Sequence, residues 1–196
     1  MNKMNGSDTA RLVEDYCIHR IRKESIELPE FQHVSREPYA PVAARMREIG
    51  EEIERTNPEF FAGCCQELNI SPTTAYAKFK DLADELFRDQ DNGSKGVSWG
   101  RIAALIAFSG RLSVHCASNN LEDLVGSIIG WTARYMDTKL IDWMQEHQNW
   151  DGFMEFFEEE KGKVRARETV SSIMSSACRM AVFGAGIAAL ACLLRR

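Results

Sequence analysis

No CxxC pair, no dense run of lysine and arginine, no period-two alternation and no internal repeat occurs in these 196 residues. Each absence excludes something. Without CxxC spacing, the six cysteines (Cys17, Cys64, Cys65, Cys116, Cys178 and Cys192) read as reduced thiols of a cytosolic protein rather than a disulfide framework. Lys and Arg number 24 against 29 Asp and Glu, a net charge of −5, so nothing supplies the phosphate neutralisation that a nucleic-acid partner needs. Without alternation or hairpin signals no strands are expected, and without a strand no Gly-rich phosphate loop can follow one. His19, His33, His115 and His147 have no i,i+4 partner and no paired Cys or carboxylate at metal-ligand spacing. His115 and Cys116 are neighbours, but adjacent helical side chains diverge by roughly 100° and cannot share a proton. The expectation is therefore no enzyme, no cofactor and no metal. Residues 1–12 are polar throughout, so no cleavable signal is expected there.

What is present is a core. Apolar residues at 44% and aromatics at 9% exclude a disordered regulator, and the length suits one domain with an appendage. Leu12, Val13, Tyr16, Cys17 and Ile21 recur at helical spacing and predict a first helix over about residues 9–25. Val42, Met46, Ile49 and Ile53 draw one apolar stripe down a second. Asn57-Pro58 ends that helix and starts the next, with Asn as cap and Pro at the first helical position. Ser71-Pro72 repeats the start signal ahead of Tyr76, Phe79, Leu82, Leu86 and Phe87. Residues 89–96 read as a polar loop with two glycines. From Ile102 to Phe108 every residue is apolar, between Arg101 and Arg111, which predicts the central helix of a bundle. Further helices are expected over residues 121–136 and 139–144, then a short one carrying Phe153, Met154, Phe156 and Phe157. The fold class is all-α.

Residues 180–194 carry no charge; Arg179 precedes them and Arg195 and Arg196 follow. As a helix the run reaches about 22 Å, short of a ~30 Å hydrocarbon core, but flanking arginines snorkel and residues 171–178 extend the span. The expectation is a tail anchor over residues 176–196, joined by a charged and polar linker (158–175) to a helical domain (1–157). The alternative is a buried C-terminal helix of that domain.

Val97-Ser98-Trp99-Gly100-Arg101-Ile102, followed by Trp143-Met144-Gln145 and Trp150-Asp151, resembles the first and second homology motifs of the B-cell-lymphoma-two (Bcl) family of apoptosis regulators. Residues 46–53, Met-Arg-Glu-Ile-Gly-Glu-Glu-Ile, resemble the third motif, and Leu12-Val13-Glu14-Asp15-Tyr16 with Ile18 and Ile21 the fourth. The stretch from Ser71-Pro72 to Arg88-Asp89 is similar to pro-survival members. The chain also departs from the family. Ser98 stands where Asn is usual, Gln148-Asn149 replaces two glycines, and Gly50-Glu51 replaces Gly-Asp, which weakens any role for this chain's own helix as a death ligand. Serine still caps a helix, and Asn tolerates the left-handed backbone, so the turn before Trp150 should survive.

The resemblance implies a Bcl-like globule around a central hydrophobic helix, with an apolar groove for a partner's amphipathic helix. The groove residues it implies are Ile53, Phe60, Phe61, Leu82, Leu86, Ser98, Gly100, Arg101, Ala104, Phe108 and Phe157. On their own Leu82, Leu86 and Phe108 read as core; the motif context moves them to the groove. Trp99, Trp143 and Trp150 read as core outright. Arg101 would grip a ligand carboxylate bidentately, and Gly100 would let the partner helix approach. Without ligand the Arg101 guanidinium is expected to face solvent, so that its removal leaves the free domain's stability unchanged. The implied partners are pro-apoptotic proteins carrying an amphipathic death-motif helix, including effector members of the family. The implied place is the mitochondrial outer membrane facing the cytosol, with the endoplasmic reticulum membrane or the cytosol as other stations. The alternative function is a pro-apoptotic effector of the same fold that oligomerises into a pore; residues 121–150 resemble effectors almost as well.

Overall fold

The computed structural model describes residues 6–28, 31, 40–58, 61, 63, 65, 68–88 and 96–158. Its helices are α1 (Gly6–Lys23), α2 (Ala40–Thr56), α3 (Ala75–Leu86), α4 (Trp99–Ala117), α5 (Asp123–Tyr135), α6 (Ile141–Glu146) and α7 (Asn149–Glu158). No strand occurs among the described residues, as the sequence implies. Pro58, Phe61, Gly63, Cys65 and Leu68, between α2 and α3, are helical as well. The tail at 176–196, most of the linker, Phe60, His33, Cys64, Cys178 and Cys192 lie outside the described residues. Among those described, no helix is long and apolar enough to cross a membrane.

Helix ends follow local chemistry. The first helix stops at Lys23: Ser25 turns left-handed (φ 59°), and the Ile26 N–H reaches back to the Ile21 carbonyl at 3.3 Å while Ile26 packs on the core. Asn120 (φ 56°) and Leu121 close α4 in the same way. Asn57 does end α2. Its amide donates back to the Ile53 carbonyl at 2.8 Å, and its backbone carbonyl accepts the Phe61 N–H. After Ser71-Pro72 the chain makes a turn before α3 begins at Ala75. The two helices expected over 121–136 and 139–144 are one continuous path. No Gly or Pro separates them, and a π-helical turn, Met136–Leu140, absorbs the change of direction.

In α4 every residue except Arg111, His115 and Ala117 is buried, and α1, α2, α3 and α5 all pack on it. Its small residues set the spacing of the bundle. Tyr16 of α1 lies between Gly110 and Gly50, where a Cβ would sit 2.5 Å from its Cε1 and 2.2 Å from its hydroxyl. Ser109 Oγ meets Thr132 Oγ1 of α5 at 2.8 Å, both fully buried. The Cys17 thiol, beside the Ser113 hydroxyl, is pushed up to about 12 by burial.

Charge joins α1 to α2. Arg47 bonds both oxygens of Asp15 at 2.8 Å, and Arg20 both oxygens of Glu54 at 2.7 Å. The Glu54 carboxylate also accepts from the Tyr16 hydroxyl. Glu51 lies 2.9 Å from His19 and 2.8 Å from Lys23, and Lys23, then His19, hold its carboxyl below the usual range.

Candidate functional site

The site begins at the first turn of α4. Ser98 is extended (φ −156°, ψ 159°), and its Oγ accepts the Arg101 N–H at 3.3 Å, so serine supplies the cap that starts the helix. Trp99 packs edge-on against Trp143 (5.1 Å between centroids) and Phe153 (5.9 Å), and beside Trp150 (6.0 Å). These rings pin the start of α4 to α6 and α7. Trp99 and Trp150 are core, while Trp143 is half-buried and stacks on His147.

The turn into α7 survives without its usual glycines. Asn149 takes the left-handed backbone (φ 54°), and so does Gln148 (φ 65°). Gly152 then lies so close that a Cβ there would sit 2.0 Å from the His147 carbonyl oxygen. In α7 the Phe157 ring packs tilted against Phe153 and edge-on against Phe156, each at 4.8 Å between centroids.

The implied groove residues come from four packed elements and the segment between α2 and α3. Ile53 is on α2, Phe61 follows it, Leu82 and Leu86 are on α3, Gly100, Arg101, Ala104 and Phe108 are on α4, and Phe157 is on α7. The apolar side chains among them belong to one buried cluster, none more than 4% exposed. They lie side by side with the core rather than along an open trough. Of the described groove residues, Ser98 alone is half-buried. Helix α3 packs on α4, and aromatic pairs tie it to α5: Tyr76 and Phe79 against Trp131, and Phe87 against Tyr135.

The expectation for Arg101 is overturned. Its side chain does not face solvent: the residue is 4% exposed. Nη1 donates to the Gly96 carbonyl at 2.6 Å and to the Arg88 carbonyl at 3.1 Å. The reason is the path of the chain, which leaves α3 at Arg88 and returns at Gly96 directly over the first turn of α4. These two acceptors are backbone atoms, which no residue type announces.

The charged contacts between α1 and α2 were also missed, although a signal exists. Asp15, His19 and Lys23 recur every four residues, as do Arg47 and Glu51, with Glu54 three further on. Among the described residues no group of three or more His, Cys, Asp or Glu side chains is placed to hold a metal ion. Cys17, Cys65 and Cys116 are buried.

Known proteins share this arrangement. Residues 46–150 match the family model described as apoptosis regulator proteins, Bcl-2 family. The chain is 33% identical to human Bcl-2-like protein 1 over 154 residues, covering 79% of this chain but only 62% of that protein. It is 32% identical to the chicken anti-apoptotic protein NR13 over 187 residues, 95% of this chain and 94% of the relative. In three dimensions it resembles the crystal structure of Trichoplax adhaerens trBcl-2L2 bound to trBak BH3, with a TM-score of 0.68 and 35% identity over 76% of this chain and 96% of that one. With the helices, the capped first turn of α4 and the motif residues all in place, the chain belongs to the Bcl-2 family of apoptosis regulator proteins.

Proposed function

We propose that this protein is a pro-survival regulator of apoptosis that acts by binding and not by catalysis. It takes up the amphipathic death-motif helices of pro-apoptotic partners, effector members of the family included. One observation carries the reading. The solved Trichoplax adhaerens trBcl-2L2, 96% of whose chain this protein matches, is bound to trBak BH3. The likeness to anti-apoptotic NR13 over nearly the full length of both chains supports the pro-survival sign.

The partner helix would set apolar anchors at i, i+3, i+4 and i+7 among Ile53, Phe60, Phe61, Leu82, Leu86, Ala104, Phe108 and Phe157. Its carboxylate would meet Arg101, with Ser98 and Gly100 beside it. Because the described apolar members are buried in the free molecule, the partner must part α3 from its neighbours to enter. Helix α3, 12 residues long, packs on α4 and pairs with α5 through aromatic rings. The uncharged run at 180–194 supports a tail anchor over residues 176–196, and with it a place on the mitochondrial outer membrane facing the cytosol.

Titration of the full chain with a panel of BH3 peptides tests the reading. Specific binding near nanomolar, about 12 kcal/mol, is the expected result. A panel in which no peptide binds better than a scrambled control would overturn it.

A further inference from the structure

Among the described residues the most buried ion pair is Arg20–Glu54, with side chains 7% and 12% exposed. It adjoins Ile53, which the resemblance implies for the groove, yet neither member is itself a groove residue. Nε and Nη2 of Arg20 donate to the two Glu54 oxygens at 2.7 Å each. The Tyr16 hydroxyl donates to the same carboxylate at 3.2 Å, and its ring lies against Gly50, one turn earlier on α2. Arg20 also comes within 3.6 Å of Glu24, and that carboxylate within 3.8 Å of Arg111 on α4. Charges of alternating sign therefore run from α2 through α1 to the central helix.

Stability is a poor reason for such a pair. Two charges taken out of water lose much of what their attraction returns, and apolar residues of similar volume are often neutral or stabilising in their place. Geometry is a better reason. Two parallel N–H···O bonds fix both the distance and the angle between guanidinium and carboxylate. Apolar contact is non-directional, and repacked cores lose uniqueness before they lose stability. The stripe of Val42, Met46, Ile49 and Ile53 holds α2 on the core, and the Arg20–Glu54 fork sets how α2 is turned there. Adjacent side chains on a helix diverge by about 100°, so fixing Glu54 against α1 fixes the direction of Ile53. The end of α2 is tied at the same residue: the Ile53 carbonyl accepts from the Asn57 amide at 2.8 Å and the Thr56 hydroxyl at 3.2 Å.

We propose that Arg20 and Glu54, with Tyr16, are positioning residues for partner binding: they hold α2 in the rotation that presents Ile53 to the partner helix, and touch no ligand themselves. The inference rests on the groove reading and adds to it a part that α1 plays without lining the groove. Affinity, and not stability, registers the loss of the pair.

The test is a full-chain variant in which the cluster is made apolar, Tyr16→Phe with Arg20→Met and Glu54→Leu, so that none of the three leaves a buried polar partner behind. Its melting temperature and its Kd for the trBak BH3 peptide are measured beside the wild type. The expected result is binding about tenfold weaker, a size reached by residues that touch no ligand, with the melting temperature unchanged or higher. Arg20→Lys keeps the charge but loses the fork, and should weaken binding as well. Wild-type affinity in either folded variant overturns the proposal and leaves the groove intact. A loss of affinity matched by a fall in melting temperature also overturns it, since the pair then holds the fold and not the site. If the apolar variant fails to fold, Arg20→Lys decides by the same two measurements, and unfolding of both overturns the proposal. Should the wild type bind no peptide, the groove reading falls and the positioning role with it.

Discussion

Tyr16 shows how one side chain makes two glycines obligatory. Its ring fills the space at Gly50 and Gly110, and at 0% exposure it has nowhere to move. Alanine at a helical glycine ordinarily stabilises by about 0.5–1 kcal/mol. At Gly50 and Gly110 overpacking, roughly 1–3 kcal/mol, should outweigh that gain and lower the melting temperature. Gly130 on α5 is the control, because nothing lies within 4 Å of its added Cβ, and there alanine should stabilise. Thermal unfolding of the three variants checks the signs, and a Tyr16→Leu background should abolish the cost at Gly50. If that cost persists in the Tyr16→Leu background, the contact is not its cause. Burial makes a second statement at this scale. It raises the Cys17 thiol to about 12 and Cys116 to about 11, leaving almost no thiolate at neutral pH. A thiol reagent at pH 8, read by mass spectrometry, should label both only after denaturation; prompt labelling in the native state would contradict their burial.

Between elements, the α1–α2 seam unites apolar and charged attachment. The apolar positions of both helices follow from spacing alone, and every one named for α1 is buried. The pairing of Asp15 with Arg47, of Glu51 with His19 and Lys23, and of Glu54 with Arg20 needed the register between the helices, which no local pattern contains. This seam makes stability depend on pH. Lys23, and after it His19, lower the Glu51 carboxyl in the folded state, so the folded protein binds fewer protons than the unfolded chain. The contribution is whole above the ordinary glutamate value, about 4.3, and is lost as pH falls through the lowered folded value. Urea midpoints should therefore separate wild type from Glu51→Gln at pH 7, and the gap should be smaller at a pH well below about 4.3. A gap that is the same at both pH values would show that the ion pairs add nothing.

For the molecule as a whole, the choice between guardian and pore former lies in what the bound state does. If the closed globule is the tight-binding state, peptide at a hundredfold excess over Kd stabilises it by about 2.7 kcal/mol, which raises the melting temperature by roughly 5–10 °C. A fall in melting temperature, with dye released from liposomes of mitochondrial lipid composition, would mark the effector instead. The anchor is tested at the same scale. The full chain should float with such liposomes, and a chain lacking residues 176–196 should stay behind with its helical content unchanged. Loss of helix in the shortened chain would return that run to the core.

The apolar and turn patterns of this sequence were enough to determine an all-helical chain, its central buried helix and most helix ends. Such features depend on a residue's own conformational preferences and on its neighbours three and four positions away. The residues implied for the groove came from the resemblance of the chain's motifs to the Bcl family, which does not say whether those side chains lie open or closed. Folding decided what spacing cannot express. The π-helical turn between α5 and α6 arises because two packed helices must change direction without a breaker. Arg101 is buried because the backbone of Arg88 and Gly96 passes over it, and backbone carbonyls are alike in every residue. A hydrogen bond to a carbonyl depends on where the chain goes and not on which residue carries it, so only the tertiary structure could supply it.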